Sequence, residues 1–255
     1  MAYGRSAAST DPGKFQIYAR QLNACNWSPS RVIGDSSPLL TGRVRVVRRL
    51  VPKPLRHRLK STATAAVRGR ERRRAGALLA SDDHLKLHLG CGGNNIEGWV
   101  NIDLMGTAAD LPWDLRRPLP FPENSAAAIF HEHLLEHLPF PAAAGFLSEC
   151  RRVLRPEGVL RIAVPDFGRF ARDYGGDQSL LESVRPGRPT ALLALAELAF
   201  CYDHESAWDE ETLVALLQEV GFGSPTVREF GDSALFPVPD HFWRKDESLY
   251  VEAEK

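Results

Sequence analysis

Residues 85–103 read L-K-L-H-L-G-C-G-G-N-N-I-E-G-W-V-N-I-D, and the architecture of the chain follows from them. The opening residues alternate apolar side chains with Lys86 and His88, the period of a strand with one buried face. Gly90, Cys91, Gly92 and Gly93 come next. Glycine there permits a tight backbone turn and leaves room for a ligand to approach the main chain. A second strand, Trp99 to Asp103, closes on a carboxylate. In open α/β sheets such a turn takes the charged end of a nucleotide-like ligand, and the acid accepts from ribose hydroxyls.

The dinucleotide fingerprint G-x-G-x-x-G fits poorly. Its third glycine falls on Asn95, and the acid follows Gly90 by 13 residues, where about 20 are usual. The stretch from Gly90 to Gly98 is barely long enough for a crossover and too short for a full helix. With these departures the segment resembles motif I and the following acid of class I S-adenosylmethionine (SAM) dependent methyltransferases. It is closest to a bacterial type-11-like subgroup with a short G-C-G…G-W-V-N-I-D segment. The resemblance implies a Rossmann-like α/β fold, a mostly parallel seven-stranded sheet flanked by helices, with one antiparallel strand last. It also implies SAM as cofactor, held in part by Gly90, Cys91, Gly92, Asp103 and Leu104. SAM has no pyrophosphate, so the turn need only admit its amino-acid end.

Further segments carry the resemblance in order. W-D-L-R-R-P-L-P-F-P-E-N-S, residues 113–125, contains three prolines and cannot be a helix. It is similar to the family's D-L…L-P-F-P-D-N-S segment, which implies that Asp114 and the amide of Leu115 hold the adenine edge. A carboxylate can accept from the exocyclic amine while the amide donates to a ring nitrogen. Read alone, Asp114 is a turn residue. A short strand from Ala126 to Phe130 precedes H-E-H-L-L-E-H, residues 131–137, whose last three residues match the family's L-E-H. His131 falls at the carboxyl end of that strand, where open α/β sheets place ligands. It is expected to line the cofactor–acceptor crevice. His131 and His133 are the candidate general bases if the acceptor is a hydroxyl or another protonated group.

Beyond this point the spacing predicts a helix over 142–154 and a turn at Arg155–Gly158, with Glu157 where related chains carry glycine. A strand over 159–164 follows, closed by Pro165 and Asp166, the latter either facing substrate or capping a helix. Residues 167–189 read as irregular. A helix over 190–201 comes next, then one capped by Asp209 and ended by Gly221. Strands are expected over 226–230 and 248–254. His204 and Trp208 lie in the insert where the resemblance implies an acceptor pocket, although core packing explains a tryptophan equally well.

Two rival readings stand beside this one. His133, Glu136 and His137 spell H-x-x-E-H, the inverted zinc-protease signature, in which histidines four apart on a helix share a face. That points to a zinc-dependent hydrolase. Pro139 and Pro141 cut such a helix short, and no third ligand follows at a helpful spacing, so no metal site is expected. The other rival is a non-catalytic SAM-binding interaction module.

Composition sets the outer bounds. Hydrophobic residues at 44% and charged residues at 25% describe an ordinary globular chain. Cys25, Cys91, Cys150 and Cys201 show no C-x-x-C pairing, which suits a reducing cytoplasm. No apolar run has the length of a membrane span. The net charge of zero conceals an asymmetry: residues 1–80 carry 17 Lys or Arg against 3 Asp or Glu, residues 81–255 carry 15 against 29. This divides a basic extension (1–80) from a methyltransferase-like domain (81–255), and the extension is expected to be dispensable for the domain's fold. Residues 1–42 read as poorly ordered, and a helix is expected from about Leu55 to Leu79. Packing of that basic helix on the acidic body is the favoured role. Contact with an anionic membrane through Leu50, Val51, Leu55 and Leu59 comes next. Nucleic acid comes last, because only His57 could stack on a base. The acceptor is expected to be a small molecule or a saccharide.

Overall fold

The computed structural model of the chain describes residues 53–81 and 84–255. The expectations for residues 1–42, and for Leu50 and Val51, lie outside the described residues. Seven strands form one sheet: β1 (Lys86–Leu89), β2 (Val100–Asp103), β3 (Leu111–Pro112), β4 (Ala126–Glu132), β5 (Leu154–Pro165), β6 (Gly223–Arg228) and β7 (Ser248–Glu254). Their order is β3-β2-β1-β4-β5-β7-β6. The ladders from β3 to β5 are parallel, and β7 runs antiparallel to both its neighbours. This is the mostly parallel seven-stranded sheet that the resemblance implied, with the antiparallel strand last in the chain.

Side-chain alternation gives the sheet two unlike faces. Leu87, Leu89, Ile129, Ile162 and Val251 share one apolar core with three helices. These are α1 (Lys53–Ser81), α2 (Phe140–Val153) and α6 (Glu210–Val220). Helix α2 contributes Phe146, Leu147, Cys150 and Val153, and α6 contributes Leu213 and Leu217. The ends of α6 are those read from the sequence. Asp209 accepts from the Thr212 amide at 2.9 Å, and Gly221 closes the helix at φ 96°.

The other face carries His88, Asn101, Phe130, Glu132, Arg161, Tyr250 and Glu252, all buried. Arg161 is fully enclosed in β5 and donates to Asp240 at 2.6 and 3.0 Å. It also donates to the carbonyls of Asp232 (2.8 Å) and Glu229 (3.2 Å). A buried guanidinium needs this complete set of acceptors, and in meeting it Arg161 straps residues 229–240 across the sheet.

The β1–β2 crossover contains no helix, as its length required. Asn101 of β2 holds it instead, accepting from the Ile96 amide at 2.8 Å and donating to Asp110 at 2.7 Å and to the Ile96 and Trp99 carbonyls at 3.1 Å. After β5 the structure departs from expectation. Residues 167–189 are not irregular but form α3 (Phe167–Gly175) and α4 (Ser179–Val184). With α5 (Ala191–Phe200) they enclose Phe170, Leu181, Ala194 and Leu198. Asp166 caps α3 through the Arg169 amide at 2.8 Å, so capping accounts for it.

Helix α1 ends at Ser81, where the charge boundary falls, and it lies on the body. Ala75 is fully buried in the main core. Thr64 Oγ1 accepts from the Met105 amide at 2.8 Å, and the Arg72 guanidinium sits 5.9 Å from the Trp113 ring.

Candidate active site

The glycine turn and the acid that closes β2 meet at the carboxyl edge of the sheet. Gly90 and Gly92 adopt φ of 74° and 58°, the left-handed region that glycine enters without strain. The Gly90 amide donates to Ile102 at 2.8 Å, which ties the turn to β2. A Cβ on Gly90 would stand 2.9 Å from the Leu134 side chain, whereas one on Gly92 or Gly93 would meet nothing within 4 Å. One side of the turn is therefore packed and the other is open. Asp103 accepts from the Gly92 amide at 2.7 Å and from the Leu104 amide at 2.5 Å. Two of its acceptor positions are thus used to fix the carboxylate at the turn, and the rest of its capacity is available to a ligand. Cys91 is buried, and burial, with Asp103 and Asp110 nearby, pushes its thiol up to about 12. It lines the turn as a neutral group.

The Trp113 amide donates to the Asp103 carbonyl at 2.8 Å, which brings Asp114 and Leu115 beside the end of β2. Asp114 accepts from Arg116 Nε (2.9 Å), Nη2 (2.8 Å) and amide (3.2 Å), and from Ser61 Oγ of α1 at 2.7 Å. Burial pushes this carboxyl up, but the bonds from Arg116 and Ser61 outweigh it and hold it at about 2. All of its acceptor capacity is occupied within the chain. The adenine-edge role expected of Asp114 thus requires a ligand to displace one of these partners. Leu115 is buried beside it.

The H-E-H-L-L-E-H segment is not a helix. Only Leu135–His137 forms a 3-10 turn, and His133 has φ of 49°, so His133 and His137 do not share a helical face. His131 corrects its expected place. It pairs with Leu89 inside β4, and alternation turns it to the helix-covered face, where it is fully enclosed with its ring 5.3 Å from that of Phe146. Neither ring nitrogen has a partner among the described residues, and burial, with His88 nearby, lowers its pKa to about 3. His133 bonds Ser248 Oγ through Nε2 at 2.8 Å, and burial holds its pKa well below the usual value. A general base works best with a pKa near the operating pH, and neither histidine is so placed.

Around this turn the structure gathers groups that the sequence kept apart. The Glu205 and Ser206 amides donate to the Glu136 carbonyl at 2.7 and 3.1 Å, clasping the 203–206 insert against the turn. His204 Nε2 comes within 4.0 Å of Glu136 Oε1. Burial pushes the Glu136 carboxyl up to about 8 and lowers His204 to about 4, the latter with help from His137. Trp208 is core, its ring 4.9 Å from that of Phe140. Residues that sequence reasoning did not foresee include Ser61, Asn101, Asp110, Arg116 and Arg161. For Arg161 a signal existed, a lone charge inside the apolar strand L-R-I-A-V. Ser61 had none, because its partner lies 53 residues away.

Residues 87–162 match the model of a family described as a methyltransferase domain. No curated protein matches the chain. Among solved structures the chain is similar to a SAM-dependent methyltransferase from Archaeoglobus fulgidus, with 14% identity over 77% of this chain and 94% of that one, at a TM-score of 0.43. It is also similar to an S-adenosylmethionine-dependent methyltransferase from Mesorhizobium loti (17% identity, 71% and 96% covered, TM-score 0.41). A third is phosphoethanolamine N-methyltransferase 2 of Haemonchus contortus in complex with S-adenosyl-L-methionine (13% identity, 72% and 52% covered, TM-score 0.44).

Proposed function

We propose that this chain, whose residues 87–162 match a methyltransferase-domain family model and whose sheet has the order β3-β2-β1-β4-β5-β7-β6, is a class I SAM-dependent methyltransferase that transfers a methyl group from SAM to a small-molecule or glycan-type acceptor. The observation that carries this reading is Asp103, fixed by two backbone amides across from the open side of a glycine turn. When bound, SAM supplies an already activated sulfonium methyl. The chain's own part is alignment and exclusion of water. In this reading the turn of Gly90, Cys91 and Gly92 admits the amino-acid end of SAM, and Asp103 and Leu104 take the ribose. Asp114 and Leu115 take the adenine edge once a bond to Ser61 or Arg116 yields.

The acceptor class in this reading comes from the family resemblance. Among the described residues no helix is long and apolar enough to cross a membrane. Cys91, Cys150 and Cys201 are free thiols, which suits an enzyme of the cytoplasm. Calorimetry with SAM and with its demethylated product tests the cofactor, and both are expected to bind at one site. Labelled methyl transfer is then followed into sugar nucleotides, oligosaccharides, small metabolites, protein and nucleic acid. Label found only in nucleic acid or protein overturns the acceptor class, and absence of SAM binding overturns the function.

A further inference from the structure

We propose that Glu136, His137 and His204 form a binding site for a divalent transition-metal cation. Their ligand atoms, one carboxylate oxygen and two imidazole nitrogens, lie within 4.8 Å of one another. A cation with bonds of about 2.0–2.2 Å needs such atoms roughly 3–4 Å apart, so side-chain shifts of about one ångström close the set.

Three features point to a ligand rather than to packing alone. Glu136 is 1% exposed, and neither carboxylate oxygen has a hydrogen-bond partner among the described residues. A buried carboxylate left in that state is costly, and a cation satisfies it. His137 donates from Nδ1 to the Asp203 carbonyl at 3.2 Å. A carbonyl only accepts, so the proton sits on Nδ1 and the Nε2 lone pair is left for a metal, the arrangement that metal-bound histidines show. His204 is delivered by backbone, through the amides of Glu205 and Ser206 on the Glu136 carbonyl. His133 stands behind the set as a positioning residue, with Nδ1 3.4 Å from Glu136 Oε1 and Nε2 on Ser248.

The arrangement differs from the zinc-protease signature that the sequence suggested. There the glutamate is the base and both histidines of the motif are ligands. Here Glu136 is a ligand, His133 is not, and the third ligand arrives from the insert. Two imidazoles and a carboxylate suit zinc, manganese or iron in the divalent state better than calcium. Three protein ligands leave coordination positions for water or for an oxygen of the acceptor. Leu134, two residues before Glu136, packs on Gly90 of the glycine turn. The cation site stands apart from the methyl-transfer reading, and only its use by an acceptor rests on that reading.

The test is calorimetric titration of the chelator-treated full chain with Zn²⁺ and with Mn²⁺, beside a separate titration with SAM. One saturable cation site per chain is expected. His204→Ala and Glu136→Gln should each weaken it by about tenfold or more, and His133→Ala by less. SAM affinity should be unchanged in His204→Ala. Should His204→Ala melt abnormally, His204→Gln keeps most of the side-chain volume without an imidazole nitrogen and must show the same loss. Absence of one-to-one binding of either cation overturns the site, and so does wild-type affinity in a folded His204 variant. Cation binding without SAM binding would leave the site standing and remove the methyl-transfer reading.

Discussion

Asp103 gives two of its acceptor positions to the Gly92 and Leu104 amides, so the same carboxylate shapes the turn and offers itself to the ribose. Asp103→Ala removes both effects. It should raise the dissociation constant for SAM by roughly 5- to 150-fold, the worth of about 1–3 kcal/mol for polar groups left without their partner. Asp103→Asn keeps an acceptor oxygen and should cost less. An unchanged constant in calorimetry of a normally melting Asp103→Ala variant would refute the assignment. At this scale the sequence was legible where a residue acts on its own backbone. Glu157 stands where related chains carry glycine, and its φ of 65° is one that glycine adopts at lower cost. It was illegible where the partner is remote, as with the bonds from Ser61 to Asp114.

Helix α1 is where an element's role depends on distant contacts. Its length was readable from the basic, helix-permissive run between Pro54 and Ser81. That Ala75 has no exposed surface was not readable, because the surfaces that enclose it belong to the body. Ala75→Leu adds volume to a filled site and should destabilise the whole domain by about 1–3 kcal/mol in urea denaturation. No change in the unfolding midpoint would mean that α1 leaves the body in solution, and that the division at residue 80 is a true domain edge. Helices α3 and α4 were missed for a different reason. Each is too short, at 9 and 6 residues, to show a period between glycines. By contrast the helix-free crossover was decided by counting, since chain length alone excluded a helix there.

At the scale of the molecule, buried titratable groups set how stability follows pH. His88, His131 and His204 are held at about 4, 3 and 4, and His133 and His137 are lowered too, in each case mainly by burial. The unfolded chain takes up protons below about pH 6.5 that these folded sites refuse, so stability is lost as the pH falls from 6.5 toward 4. Glu136 acts in the opposite sense. Raised to about 8, it keeps a proton in the folded state that the unfolded chain has released, and so favours folding as the pH falls from 8 to 4.5. The histidines outnumber it, and each net proton is worth about 1.4 kcal/mol per pH unit. Metal-free protein should therefore unfold at a clearly lower temperature or urea concentration at pH 5.0 than at pH 7.5. Equal stability at the two values would contradict the burial of these rings.

The position of β7 has a consequence for how the protein is made. It follows β6 in the chain, yet it lies inside the sheet, between β5 and β6, and among the described residues β6 pairs with no other strand. A nascent chain cannot finish this sheet until residues 248–254 have left the ribosome. Loss of residues 248–254 would not trim an edge but part the sheet in two, since β6 is joined to β5 only through β7.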